Sequence, residues 1–245
     1  MNPEIMYGLK YNNHMKEMKE TRIEGKICFI FGDGSSDVLL IQPVGEYNLE
    51  TMDSEVALIK ELSGGKDFTM VMFLTDWNQD LPPWGAPAMR GEDPFGEGAP
   101  NTLAFIREHL IPEIGADREQ EIYLGGYSLA GLFTMWAAYQ TDLFTGVAAA
   151  SPSLWYPGWP AFAEKKQVRA PKVYLSLGKK EEKTRHPVMQ TVGENIRKQF
   201  DLARRSPKCE DVILEMNPGN HFQDADLRMA KGFAWLLSGE LTNDY

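Results

Sequence analysis

The segment Ile122-Tyr123-Leu124-Gly125-Gly126-Tyr127-Ser128-Leu129-Ala130-Gly131 sets a serine among small residues, with an apolar, strand-like run before it and a helix-like run behind it. A hydroxyl in that setting is a candidate nucleophile. A sharp strand-to-helix turn holds the serine in a strained conformation with its oxygen exposed, and the positions two residues to either side must be small for the turn to close. The helix behind adds free N–H groups and the positive end of its dipole. Here the second small position is Ala130 rather than glycine, with Gly131 following. The competing reading is that Ser128 only N-caps a helix, as serine often does; the preceding strand and the glycines weigh against it.

A serine nucleophile needs a base. His221 lies in Asn217-Pro218-Gly219-Asn220-His221-Phe222, a turn after the last expected strand. The rival histidines sit in poorer places: His14 in a polar N-terminal segment, His109 within an amphipathic helix, His186 at a helix start. An acid must fix the histidine tautomer and stabilise the imidazolium. After the expected strand 172–177 the chain reads Gly178-Lys179-Lys180-Glu181-Glu182-Lys183; Glu181, early in the loop, is the expected acid and Glu182 the alternative. The oxyanion needs two N–H donors, expected from Leu129, behind the nucleophile, and from the loop after an early strand. In Gln42-Pro43-Val44-Gly45, Pro43 has no N–H, which leaves Val44 as the expected donor with Gly45 beside it.

These residues need a scaffold that delivers them to one edge. Apolar runs at 26–31 and 37–44 read as strands joined by a hairpin at Gly32-Asp33-Gly34-Ser35. Met52, Val56, Ile59 and Leu62 repeat at helical spacing and end at Gly64-Gly65. A strand at 69–75 follows, then a helix marked by Leu103, Ile106, Leu110 and Ile114 with Asn101 as N-cap. Beyond them come strand 121–125, helix 129–139, strands 146–151 and 172–177, helix 188–200, strand 212–216 and helix 225–237. Continuously apolar strands suit a mostly parallel central sheet with helices on both faces, a three-layer α/β protein that binds ligands at the carboxyl ends of its strands. Residues 1–23 read as an irregular arm, and 77–99 as a loop too long for a routine connection.

Composition bounds the setting. The 245 residues, 43% hydrophobic, fit one domain over 1–245. Apolar runs fall far short of the roughly 20 residues a membrane span requires. A formal charge of -10 disfavours nucleic acid and anionic membranes, and favours a small neutral or cationic substrate. Two cysteines, Cys28 and Cys209, make no disulfide framework, and no secretory signal is read at the start, so a cytoplasmic protein is expected. His221, Asp224 and Asp226 match no metal-ligand spacing, so no metal is expected.

On these residues the chain resembles the esterase D branch of the α/β-hydrolases, which includes ferric-enterobactin esterase, S-formylglutathione hydrolase and feruloyl or acetyl xylan esterases. The resemblance covers residues 37–238; it rests on the Gly126–Gly131 turn with Phe133, on Ser151-Pro152-Ser153-Leu154-Trp155, and on Gly219-Asn220-His221-Phe222 with Arg228 and Trp235. It implies the α/β-hydrolase fold and hydrolysis of a small-molecule ester (siderophore, acylated sugar or hydroxycinnamate) through an acyl-enzyme, without cofactor. It also implies that Trp155 borders the cleft and that 76–84, with Trp77 and Trp84, is a substrate loop. The plainer reading of these tryptophans is that they plug loops against the sheet. The chain departs from the pattern at Ala130, at Gln42-Pro43 where many hydrolases carry His-Gly, and in having a glutamate as the acid. Acyl transfer to another acceptor, or ester binding without cleavage, would use the same residues.

Overall fold

Runs that are apolar at every position belong to strands roofed on both faces, and 69–74 and 146–150 lie in one eight-stranded sheet. The computed structural model describes residues 18–89, 93–115 and 120–240. Its strands are β1 (Met18–Ile23), β2 (Lys26–Phe31), β3 (Val38–Val44), β4 (Thr69–Leu74), β5 (Glu121–Tyr127), β6 (Gly146–Ala150), β7 (Lys172–Gly178) and β8 (Asp211–Asn217). Their order across the sheet is β1-β2-β4-β3-β5-β6-β7-β8. From β4 to β8 neighbouring strands are parallel, whereas β1 and β2 are antiparallel.

The helices are α1 (Met52–Leu62), α2 (Trp77–Asp80), α3 (Ala99–Phe105), which continues through a π turn into α4 (Ile111–Ile114), α5 (Ser128–Gln140), α6 (Trp159–Ala163), α7 (Val192–Arg205) and α8 (Ala225–Ser238). One apolar cluster packs α1 and α8 on the Leu40, Met70 and Tyr123 face of the sheet; another packs α3 to α7 on the Leu39, Val71 and Ile122 face. This is the expected three-layer arrangement. Among the described residues no helix is long and apolar enough to cross a membrane.

Three expectations need correcting. Residues 18–23, read as part of an irregular arm, form β1. Glu24 and Gly25 have φ of 45° and 80°, the two left-handed residues of a tight hairpin, and Glu-Gly is a weaker signal for that turn than Asn-Gly. The remainder of the arm, with His14, lies outside the described residues. The hairpin expected at 32–35 does not form either, because β4 lies between β2 and β3 and pairs with both. Asn101 is inside α3, whose N-cap is Gly98 with Pro100 following; a proline near the start supplies the preset φ that a first helical turn favours.

Candidate active site

β5 passes into α5 with no intervening loop, so Tyr127 ends the strand and Ser128 opens the helix. Sterics allow so abrupt a turn only between small residues. A Cβ on Gly126 would overlap the Ala130 carbonyl, and one on Gly131 would stand 3.0 Å from Pro152 and from the Gly126 carbonyl. Ala130 is fully buried within the turn, so its methyl is accommodated and the need for glycine falls one residue later. Ser128 has φ of 56°, a left-handed conformation that costs a non-glycine residue about 1–2 kcal/mol. It is held there by β5 on one side and α5 on the other.

The ends of β7 and β8 bring the other two groups. After β8, Gly219 at φ of 87° turns the chain, and the His221 ring comes to lie over the nucleophile. Nε2 is 3.0 Å from Ser128 Oγ, and Nδ1 is 2.7 Å from Glu181 Oε2. Glu181 opens a 3₁₀ turn after β7 and is buried. Its second oxygen accepts from the Gly178 N–H at 2.7 Å, the Ser151 hydroxyl at 2.6 Å and Arg228 Nη1 at 3.2 Å. Burial by itself raises a carboxyl pKa; the hydrogen bond and charge of His221, then Ser151 and Gly178, outweigh it and hold Glu181 below the usual carboxylate range. Glu182 goes elsewhere, in a two-pronged pair with Arg197 at 2.9 Å on each prong. The structure therefore brings Glu181, and not Glu182, to the histidine.

The expected oxyanion donors fare differently. The Leu129 N–H lies in the first turn of α5, where the helix itself supplies no acceptor. Val44 is committed elsewhere. Its carbonyl accepts from Thr75 N at 3.1 Å within the β3–β4 pairing, and a strand residue directs its N–H to the same side as its C=O. The Val44 N–H thus faces β4, away from β5 and Ser128. The next N–H, that of Gly45, bonds Asn48 Oδ1 at 3.0 Å.

A cavity of about 490 Å³ opens over Ser128 and His221, walled by Trp155, Met189, Val192 and Phe222 with Lys180 and Lys183 at its edge. Trp155 is where it was expected. Trp77 and Trp84 are not in this wall. Trp77 packs edge-on to Tyr47 at 5.2 Å, and Trp84 donates from Nε1 to the Pro157 carbonyl at 2.8 Å while packing on Phe162. Both pin loops, because each ring has a protein partner that uses up its face or its donor. The two lysines also qualify the inference from net charge: a chain of formal charge -10 offers its cavity local positive charge.

Geometry brings further residues to the site, to which their place in the motifs assigns no role. Ser153 Oγ is 3.3 Å from Ser128 Oγ. Ser151, strained at φ of 43°, reaches the acid. Tyr127 donates from its hydroxyl to the His221 carbonyl at 2.7 Å. Phe222, beside the histidine, is 89% exposed and lines the cavity.

No family model matches the chain, and no curated protein matches it in sequence. Solved structures do resemble it. An IroE-like serine hydrolase from Shewanella oneidensis is 17% identical, with a TM-score of 0.72 over 89% of this chain and 79% of that one. Siderophore hydrolase EstA from Aspergillus nidulans is 18% identical, with a TM-score of 0.72 over 90% of this chain and 94% of that one. Enterochelin esterase from Shigella flexneri is 18% identical, with a TM-score of 0.63 over 91% of this chain and 58% of that one. With its strand order, its strained serine between β5 and α5 and these likenesses, the chain has the α/β-hydrolase fold.

Proposed function

We propose that the chain is a serine esterase acting on a small-molecule carboxylic ester through an acyl-enzyme. The observation that carries this reading is the unbroken line Ser128 Oγ, His221 Nε2, His221 Nδ1, Glu181 Oε2, with contacts of 3.0 and 2.7 Å. His221 takes the Ser128 proton as Oγ attacks the acyl carbon, and returns it to the departing alkoxide; water repeats the cycle on the acyl-enzyme. Glu181, ionised, keeps the Nδ1 proton in place and offsets the imidazolium charge. The oxyanion forms against the Leu129 N–H and a donor from the loop after β3.

The cavity favours an ester with an aromatic part, for which Trp155 and Phe222 are the partners. A hydroxycinnamate ester meets that description, as does a siderophore or acylated sugar that carries an aromatic group, and siderophore hydrolase is what the names of two structural neighbours, EstA and EstB, say of those proteins. A cytoplasmic setting accords with two unpaired cysteines, one of them buried.

The test is mass spectrometry of the intact protein after treatment with a fluorophosphonate. The expected result is one adduct, mapped to Ser128 and lost in His221→Ala. A wild-type protein that takes no adduct would overturn the reading in favour of ester binding without cleavage.

A further inference from the structure

Arg228 is 1% exposed in the first turn of α8. A positive charge at a helix N-terminus opposes the helix dipole, so this position is a poor one for stability alone. Its guanidinium nevertheless meets five acceptors. Nη2 donates to the carbonyls of Pro218 at 2.7 Å and Asn220 at 2.9 Å, on either side of the Gly219 turn that delivers His221. Nη1 lies 3.2 Å from Glu181 Oε1, 3.1 Å from Ser151 Oγ and 3.2 Å from the Tyr127 hydroxyl. Tyr127 precedes the nucleophile, and its own proton goes to the His221 carbonyl. The guanidinium thus touches the chain segments that carry Ser128, Glu181 and His221. Gly178 completes the fit, since a Cβ there would stand 2.9 Å from Glu181 Oε1 and 3.0 Å from Arg228 Nη1.

We propose that Arg228 is a positioning residue, which locks the histidine loop to the acid and the nucleophile strand. The inference rests on the esterase reading. Without Arg228 the Pro218 and Asn220 carbonyls lose their shared donor, and the turn that carries His221 is no longer tied to Glu181. Only a forked, planar cation reaches both loop carbonyls and the carboxylate at once; an ammonium supplies the charge without the reach.

The experiment is steady-state kinetics on p-nitrophenyl acetate for the wild type, Arg228→Lys and Arg228→Gln, with melting followed by circular dichroism. Arg228→Lys is expected to melt cooperatively and to lose kcat about 10- to 100-fold with KM within about two-fold. Arg228→Gln, which lacks the fork as well as the charge, is expected to lose at least as much. A Lys variant with kcat within two-fold of the wild type overturns the positioning role even if the Gln variant does not fold. Fluorophosphonate labelling of wild-type Ser128 separates that failure from failure of the esterase reading.

Discussion

Glu55 should make the protein less stable as pH rises through neutrality, and Glu55→Gln should abolish the effect. The carboxyl sits on α1, 3% exposed, against Gln42 on β3, and its Oε1 has no hydrogen-bond partner. Burial, opposed by the Gln42 hydrogen bond and aided by Asp226, raises its pKa from 4.5 to about 8. The folded protein therefore keeps this proton up to about pH 8, while the unfolded chain releases it near 4.5. Between those values the folded state binds more protons, so stability falls with increasing pH and levels off above about 8. At pH 7 the unfolded chain has gained two and a half units of ionisation, which at about 1.4 kcal/mol per unit is about 3 kcal/mol. Glutamine keeps the shape and cannot ionise. In a chain of this length that energy corresponds to a melting temperature about 6 °C higher for Glu55→Gln at pH 7, with little difference at pH 4.5. Differential scanning calorimetry from pH 4.5 to 8.5 measures it. A difference between the two proteins that does not grow with pH would refute the reasoning.

Other outcomes follow from the site. Glu181→Gln should lower kcat by about 10³–10⁴-fold through loss of the tautomer lock, whereas Glu182→Gln, which breaks only an outward pair with Arg197, should stay within about two-fold; steady-state rates on a p-nitrophenyl ester decide this. Trp155→Ala should raise KM for aryl esters about ten-fold, an aromatic contact's worth, while Trp84→Phe should leave KM unchanged and cost about 1 kcal/mol of stability with the bond to Pro157. With Lys180 and Lys183 at the cavity edge, matched aryl esters should be turned over faster with a negative substituent than with a neutral one. That preference should shrink in 0.5 M salt, where the screening length is about 4 Å; no preference at low salt would remove the lysines from substrate recognition.

Most of the fold was legible because its signals are local. The turn at Ser128, the alternation of apolar strands with periodic helices, and the order serine, glutamate, histidine can each be read from neighbours in sequence. Strand neighbours cannot. Nothing at 32–35 says that β4 will enter between β2 and β3, because that depends on which apolar run covers the exposed edges of both. Val44 failed as a donor for the same reason: its direction depends on which strand it pairs with. Trp84 looked like a ligand contact only because Pro157, 73 residues away, is invisible as its acceptor. Arg228 is marked in the sequence only as part of the motif around His221, with no role attached, because its five acceptors come from four separate loops and strands.

The spacing of these groups along the chain also bears on when the site can exist. Ser128 is 93 residues from its base, and Tyr127 is 101 from the arginine that ties it to the acid. A growing chain that has already folded β1 to β6 holds its strained serine with no histidine to deprotonate it and no carboxylate to aim one. Nucleophilicity therefore arrives last, with β8 and the first turn of α8. A polypeptide stalled on the ribosome or clipped before that point is an inert fragment rather than an unregulated hydrolase.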